Sequence, residues 1–278
     1  MSRALRSAFF RLFRTGLWLK SIIFSVLVGL VVANFMYGQI YVSYIFSRPR
    51  FIDNLFVIQC LYGLLYVMPF AIAIFCMMFT GTDIAYRAIN NKISTGISRF
   101  RLYFADLMVS LLNSLISCVI AVATIIAFAK LWAIKSDIRF DSYLISCFIK
   151  VILVCFAFTS LYILAQFFCS NKFLALVISL MLIPCAMITT MLIGTELNEP
   201  YRYVVIAEDG ESYCWEYNPH YVGGTRRKIY TFLYESSPYV DFYTSDRKDQ
   251  ANEIMAAGMV FVISTAAGFA SIRKKEFP

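Results

Sequence analysis

Few side chains in this sequence could act as nucleophiles, general bases or metal ligands, and their spacing does not favour such chemistry. The chain of 278 residues contains a single histidine, His220, which argues against a zinc centre built on histidines. Of its eight cysteines, only Cys214 lies in a polar segment; the other seven lie in apolar runs without CxxC spacing. Free cysteine in such runs is typically a small packing residue. We therefore expect neither a metal site nor a disulfide framework.

Motifs for nucleotide and hydrolytic chemistry are also missing from the sequence. It contains no GxxxxGK[ST] phosphate loop, no HExxH and no GxSxG. The run Gly223–Gly224–Thr225–Arg226 falls short of a phosphate-binding loop. We expect that the chain is not an enzyme and holds no cofactor of its own. Any energy for active transport must then come from a partner.

The composition is that of a membrane protein. Apolar residues make up 60% of the chain and charged residues 15%, with a mean hydropathy of +0.70. Soluble domains are closer to 45–50% apolar and about 25% charged. The composition argues against a soluble globular enzyme, a disordered chain and a small disulfide-rich scaffold.

Six apolar runs are long enough to span a bilayer, which needs about 20 residues. They cover approximately residues 17–37, 55–80, 102–132, 143–169, 173–194 and 254–272. The predicted fold class is an all-α polytopic membrane protein with both termini inside. The predicted parts are an N-terminal helix (1–20), spans one to five (17–194), an extracellular insertion (195–252), and span six with a basic tail (253–278).

Lysine and arginine in the short flanking segments set the predicted orientation. With the N-terminus inside, the cytosolic side holds most of them, in the N-terminal segment, in residues 87–101, at Lys172 and in the tail 273–275. The net charge of +8 is then mainly a topology feature, so we expect no nucleic-acid partner. The basic inner face favours anionic lipid headgroups.

The N-terminal segment alternates basic and apolar residues. We interpret it as an interfacial amphipathic helix, with a flexible basic tail as the alternative. The residues that carry this interpretation are Arg3, Arg6, Phe9, Phe10 and Arg11.

The outer region 196–252 contains two strand-like runs on either side of Asp209–Gly210, which predict a β-hairpin. Farther on, Thr225 is expected to cap a helix that ends at Ser236, before Pro238. We therefore predict a small extracellular hairpin followed by a helix.

Ionisable residues are absent from the centres of the six runs. Asp106, Lys130, Lys150 and Glu253 lie toward predicted span ends, where we expect them to reach water. Intramembrane charges usually mark ion-coupled transport, and this sequence does not predict it.

The segment between spans two and three, residues 81–101, has the pattern of a short helix followed by a glycine turn. The full run 82–107 reads TDIAYRAINNKISTGISRFRLYFADL. Ile84, Ala88 and Ile89 have helical spacing and Gly96 ends the pattern, so the segment could lie across the cytosolic mouth as a docking element. An ordinary basic loop is the alternative.

This run resembles the type-2 permeases of ATP-binding-cassette (ABC) exporters, especially the bacterial group linked to antimicrobial peptides and drugs. These often carry acid-x-x-x-G-T-x-K-N-x-x-S-x-G-I-S-R-x-x-x-Y between spans two and three. The matching residues are Asp83, Asn91, Ser94, Gly96, Ile97, Ser98, Arg99 and Tyr103. The sequence departs from the pattern at Arg87–Ala88 and at Asp106. The outer run from Asn218 to Gly224 and the basic tail are also similar to this group.

The resemblance implies a mechanism and partners. Two permease subunits, identical or different, would pair in the bacterial cytoplasmic membrane, and the N-terminal helix would be an elbow on the membrane surface. A separate cytosolic ATPase subunit would bind ATP and Mg²⁺ and push a coupling helix between spans two and three. The implied coupling residues are Asp83, Ile84, Arg87, Asn91, Lys92, Gly96, Ser98 and Arg99. The outer region, with Asp209, Gly210, Asn218, Pro219 and Tyr221, would cap the exit or meet the substrate or a partner.

Three functions remain open at this point. The first is an exporter subunit for a hydrophobic or amphipathic peptide or drug-like compound. The second keeps the ATPase but senses or removes an antimicrobial compound, which would give resistance. The third is a membrane scaffold without transport. An adjacent ATPase gene would favour the first two, and a stand-alone gene the third.

Overall fold

Helices make up most of the structure, a computed structural model that describes residues 2–43, 51–86, 88–132, 135–169, 171–206, 213–239 and 247–274. The elements in chain order are α1 (Ser2–Arg14), α2 (Leu17–Ser43), β1 (Phe51–Asp53), α3 (Asn54–Cys76), a π-helical segment (Met77–Gly81), α4 (Thr82–Ala85), α5 (Ala88–Ser94), α6 (Arg99–Trp132), β2 (Lys135–Asp137), α7 (Ser142–Phe168), α8 (Lys172–Asn198), β3 (Arg202–Ile206), β4 (Tyr213–Tyr217), α9 (Gly224–Glu235) and α10 (Arg247–Lys274).

Six of these helices are long and apolar enough to cross a membrane, which confirms the six predicted spans. They are α2, α3 with its continuation to Ile84, α6, α7, α8 and α10. Several extend past the predicted runs into polar sequence; α10, for example, begins at Arg247 rather than near residue 254. A helix continues into such flanks because its backbone hydrogen bonds do not depend on apolar side chains. The chain is a multi-pass membrane protein.

Helix α7 lies at the centre of the bundle and packs against α3, α6, α8 and α10. In the most apolar part of each helix, 67% of residues are buried in α3 but only 17% in α8 and in α10. The outer helices therefore leave apolar side chains such as Met191 and Ile263 on the surface. In a membrane, lipid or another subunit covers such faces.

Glycine leaves space for close contacts between helices in the bundle. A Cβ atom on Gly29 of α2 would lie 2.7 Å from the Ala121 carbonyl oxygen of α6. A Cβ atom on Gly268 of α10 would overlap the side chain of Tyr103 in α6. Small residues at such crossings bring backbones together, as is common in membrane bundles.

The N-terminal segment forms the predicted amphipathic helix, but the helix ends at Arg14 rather than near residue 20. Gly16 has a left-handed φ of 64° and separates α1 from α2. Ala4, Ala8 and Leu12 recur every four residues and are buried on one face. This face places α1 against α6.

The connections predicted to lie outside combine a predicted hairpin with an unpredicted strand pair. Strands β3 and β4 pair antiparallel, from Arg202 opposite Tyr217 to Ile206 opposite Tyr213, as the sequence predicts. Asp209 and Gly210, the predicted turn, lie outside the described residues. Strands β1 and β2 pair in parallel and join the segments that precede α3 and α7.

Helix α9 forms as predicted, but its bounds differ from the prediction at both ends. Gly223 occupies the cap position and Gly224 begins the helix, so the expectation that Thr225 caps it is wrong. Gly224 has a φ of 62°, a left-handed conformation that glycine adopts without strain. The helix ends at Glu235, one residue before the predicted end.

Candidate functional site

After the π-helical segment, the chain forms two short helices before α6, α4 and α5, rather than the one predicted. After α5, Gly96 adopts a left-handed φ of 86°. Its N–H donates to the Ile93 carbonyl at 2.9 Å, and the N–H of Ile97 donates to the Lys92 carbonyl at 3.2 Å. These two bonds are the Schellman motif that ends a helix at glycine. The predicted glycine turn is confirmed.

Ser98 caps the start of α6, which begins at Arg99. Its hydroxyl accepts from the N–H of Arg101 at 3.4 Å, and its carbonyl accepts from the N–H of Leu102 at 3.1 Å. Serine is a favoured residue at this position because its side chain satisfies a helix N–H that has no partner within the helix. The path from α5 to α6 is therefore fixed by its backbone at both Gly96 and Ser98.

Four charged side chains from α1, α4, α5 and α6 meet on the inner side of this segment. Arg11 donates through Nη2 to Asp106 Oδ1 at 2.9 Å and forms an ion pair with Asp83 through Nη1. Lys92 also pairs with Asp83. The Arg11 guanidinium lies 3.9 Å from the centre of the Phe79 ring. We call Arg11, Asp83, Lys92 and Asp106 the four-charge cluster.

The four-charge cluster is balanced and largely buried. Its two cations face two carboxylates, and the exposed fractions of Asp106 and Asp83 are 2% and 7%. Burial lowers the pKa of Lys92, the nearby Arg11 charge lowers it further, and Asp106 opposes the shift. Charge pairs interact more strongly away from water. The cluster thereby fastens α1, α4 and α5 to the long helix α6.

Between Tyr86 and Ser98, the exposed side chains of the segment are polar and uncharged at the described positions. We call this surface the polar docking face. It consists of Tyr86, Asn91, Ser94, Thr95 and Ser98. Ile89 is buried beneath it, and Ile84, Ile93 and Ile97 pack against the core. An ordinary solvated loop would not be expected to have a buried apolar side of this kind.

The predicted coupling residues therefore divide into two groups. Asn91, Gly96 and Ser98 are exposed and available to a partner. Asp83 and Lys92 belong to the four-charge cluster, where Asp83 is buried and Lys92 is half-buried. Arg87 lies outside the described residues. Arg99 is half-buried.

The elbow residues divide in the same way. Arg3, Arg6 and Phe10 are exposed, as expected for a face toward lipid headgroups. Phe9 is partly buried and packs against the core. Arg11 points inward, where the burial of two carboxylates requires a positive charge.

The described residues predicted to face outward, Asn218, Pro219 and Tyr221, lie at the base of the hairpin and at its junction with α9. Asn218 donates to Glu199 Oε2 at 2.7 Å and to the Pro200 carbonyl at 3.1 Å, which closes the base of the hairpin. The Tyr221 ring lies 5.1 Å from that of Tyr201. Pro219 is exposed. These contacts give Asn218 and Tyr221 a structural role in the segment between α8 and α10.

A second ion pair lies within the bundle. Lys150 of α7 pairs with Glu253 of α10, and the exposed fraction of each residue is 1%. Lys150 Nζ also lies 4.3 Å from the centre of the Tyr62 ring in α3. The expectation that both charges reach water is wrong, and so is that expectation for the buried Asp106. Each is placed about two helical turns from a helix end, where a neighbouring helix supplies its partner.

Sequence reasoning missed Arg11, Asp106, Lys150 and Glu253 as paired groups. The sequence analysis noted Asp106 only as a departure from the permease pattern, without a partner for its charge. Lys150 and Glu253 could be recognised only as two opposite charges in separate apolar runs.

The described residues offer no site for a metal, since no group of three or more His, Cys, Asp or Glu side chains among them could hold one. Comparison with known proteins gives no further identification: no family model, no curated protein and no solved structure matches this chain.

Proposed function

We propose that this protein is the membrane-spanning permease subunit of an ATP-driven ABC-type exporter in a bacterial cytoplasmic membrane. A separate ATPase subunit would bind ATP and Mg²⁺ and contact the polar docking face. The substrate class is a hydrophobic or amphipathic peptide or a drug-like compound. A second permease subunit, identical or different, would complete the pathway.

The four-charge cluster is the observation that carries this proposal. A docking element transmits force only if it is attached to the helices that must move. Asp83 and Lys92 attach the short helices, Arg11 attaches the amphipathic helix, and Asp106 belongs to the span α6. A push on the polar docking face would move these four elements together.

The proposal is tested by purifying the protein from its native operon and assaying bound proteins for ATP hydrolysis. The key variant is Ser94→Arg, which places a large charge on the polar docking face without touching the four-charge cluster. The matched control is Ser142→Arg, another exposed serine, at the start of α7 on the predicted outer side.

We expect a stoichiometric ATPase to bind the unmodified protein, with recovery reduced at least tenfold by Ser94→Arg and unchanged by Ser142→Arg. Such a loss corresponds to about 1.4 kcal/mol or more of binding free energy. A protein that purifies without an ATPase would refute the proposal and favour the scaffold function. Equal recovery in all three proteins would place the ATPase contact elsewhere.

A further inference from the structure

A cavity of about 130 Å³ lies between α2, α3 and α6. Its walls are mainly apolar, and three of the side chains that line it, Phe24, Ile74 and Met78, are exposed on the surface of the bundle. For comparison, an apolar cavity of about 150 Å³ is large enough to bind benzene. The cavity therefore has room for a segment of an apolar chain, and lipid can reach it from the side.

The cavity lies at the end of the bundle that carries the polar docking face. Its lining begins in α2 at Leu17, the first residue of that span, and reaches Met78, close to Ile84, where the span of α3 ends. The short helices α4 and α5 follow at this same end. Because lipid headgroups lie at the ends of spans, the cavity is at the depth where a headgroup meets its apolar chains.

The cavity has one charged side chain among the described residues that line it, Lys20. Lys20 is exposed, and no described carboxylate forms an ion pair with it. A lysine stem can lie along apolar side chains while its ammonium group stays at the boundary with water. The described part of the chain therefore gives the cavity one positive charge without a partner.

The four-charge cluster is near the cavity but does not cancel this charge. Phe75 lines the cavity, and its ring lies 5.6 Å from the ring of Phe79, on which Arg11 rests. The two cations and two carboxylates of the cluster balance each other. Lys20 therefore decides which sign of charge the cavity favours.

Polar groups of α2 and α6 add hydrogen-bonding capacity to the cavity wall. The Ser21 hydroxyl accepts from Asn113 Nδ2 at 3.0 Å, and it lies 3.0 Å from the Ser117 hydroxyl. Only one hydroxyl hydrogen is needed between the two serine oxygens, so the other can be donated to a ligand. An ammonium group and a hydroxyl donor together suit an oxyanion.

We propose that this cavity binds a membrane amphiphile that carries an oxyanion, a phosphate or a carboxylate, on an apolar chain. The oxyanion contacts Lys20 and the serine pair, and the first part of the chain lies between α2 and α3. An anionic phospholipid and a free fatty acid both have this chemistry. The inference goes beyond the proposed function and does not depend on it.

Native mass spectrometry of the full chain, released from detergent micelles, measures the binding of single added lipids. The probes form two pairs, dioleoylphosphatidylglycerol with dioleoylphosphatidylcholine and oleate with oleyl alcohol. The members of each pair share their chains and differ in net charge. We expect the first anion of at least one pair to bind about fivefold more tightly than its neutral counterpart, the order of one ion pair at a protein surface. The anion that binds more tightly distinguishes a phospholipid ligand from a fatty acid.

Variants of Lys20 test whether this one charge, rather than the net charge of the protein, gives the preference. Lys20→Gln should remove the preference for the anion, and Lys20→Arg should keep it. The matched control is Arg14→Gln, which removes an exposed positive charge of the neighbouring helix α1 from outside the cavity lining. It should leave the preference unchanged.

A second pair of variants tests the space. Ala71→Leu fills the cavity from α3 and should weaken binding of the anion about fivefold or more. The control is Ala123→Leu, which makes the same change at an exposed position of α6 outside the cavity lining and should have no effect.

The inference is overturned if neither anion binds more tightly than its neutral counterpart, if Lys20→Gln and Arg14→Gln have equal effects, or if Ala71→Leu leaves anion binding intact. These outcomes are independent of the ATPase test. An ATPase partner without anion-selective binding would refute the cavity proposal alone. Anion-selective binding without an ATPase partner would refute the exporter proposal and leave the binding site standing.

Discussion

Arg11 is the residue that joins the amphipathic helix α1 to the short helix α4 and the long helix α6. Its planar guanidinium reaches two carboxylates at once, Asp83 and Asp106, and lies on the Phe79 ring. A lysine ammonium lacks the planar fork that such contacts need. Without Arg11, Lys92 would remain as the one cluster cation beside two buried carboxylates.

Replacing Arg11 by methionine should therefore lower the free energy of unfolding by about 3 kcal/mol, because it leaves a buried carboxylate without its partner. Thermal unfolding in detergent micelles measures the change. The control is Arg14→Met, which removes an exposed arginine from the same helix and should cost less than about 0.5 kcal/mol. Adding Asp106→Leu to Arg11→Met should restore part of the loss. Equal effects of the two single variants would show that Arg11 has no special role.

The crossing of α2 and α6 depends on the absence of a side chain at Gly29. The closest atom to a Cβ there is a backbone oxygen, that of Ala121, which cannot move aside as a flexible side chain could. The two helices would have to separate to admit even a methyl group. The same helix contains Gly38, where a Cβ would meet nothing within 4 Å.

The variants Gly29→Ala and Gly38→Ala make identical chemical changes in one helix with opposite expected results. Gly29→Ala should destabilise the protein by about 1–3 kcal/mol through overpacking. Gly38→Ala should be neutral or stabilise it by up to about 1 kcal/mol, because alanine favours the helix. Melting temperatures in the same detergent compare them directly. A destabilisation shared by both would indicate that the crossing is not the cause.

Helices and turns were predictable from the sequence where a local rule decides them. The pairing of charged side chains across the bundle was not. A run of about 20 apolar residues forms a span whatever surrounds it, and Gly96 ends α5 through its own backbone conformation. By contrast, Arg11 and Asp106 are 95 residues apart in the chain. Their pairing depends on how α1 packs on α6, which no spacing in the sequence reveals. The same holds for Lys150 and Glu253, whose separate apolar runs give no indication that the two charges meet.

The number of membrane crossings between two segments decides whether they lie on the same side of the membrane. Three candidate spans, α6, α7 and α8, separate the polar docking face from the segment around His220 in the chain. If all three cross the membrane, this odd number of crossings places the two on opposite sides. The distribution of lysine and arginine predicts that the docking face is cytosolic. An ATPase subunit that uses cellular ATP requires that orientation.

Labelling with a membrane-impermeant maleimide tests this arrangement. The variants Ser94→Cys and His220→Cys, each in a background without the eight native cysteines, place one thiol at an exposed position on each side. In intact cells His220→Cys should react at once, and Ser94→Cys should react only after permeabilisation. The reverse pattern would invert the orientation and exclude a cytosolic ATPase at the docking face. Reaction of both from outside would contradict the six-span arrangement.

The π-helical segment Met77–Gly81 has a consequence for how this chain could vary in length. A π-helical turn contains about one residue more than an α-helical turn, so it accommodates an insertion without rotating the helix beyond it. A version of the chain shorter by one residue between Cys76 and Thr82 would be an ordinary α-helix there and would still point Asp83 toward α1. A deletion elsewhere in α3 would turn Asp83 by about 100° and break the four-charge cluster. Gains and losses of single residues in related chains are therefore expected to concentrate in this one turn.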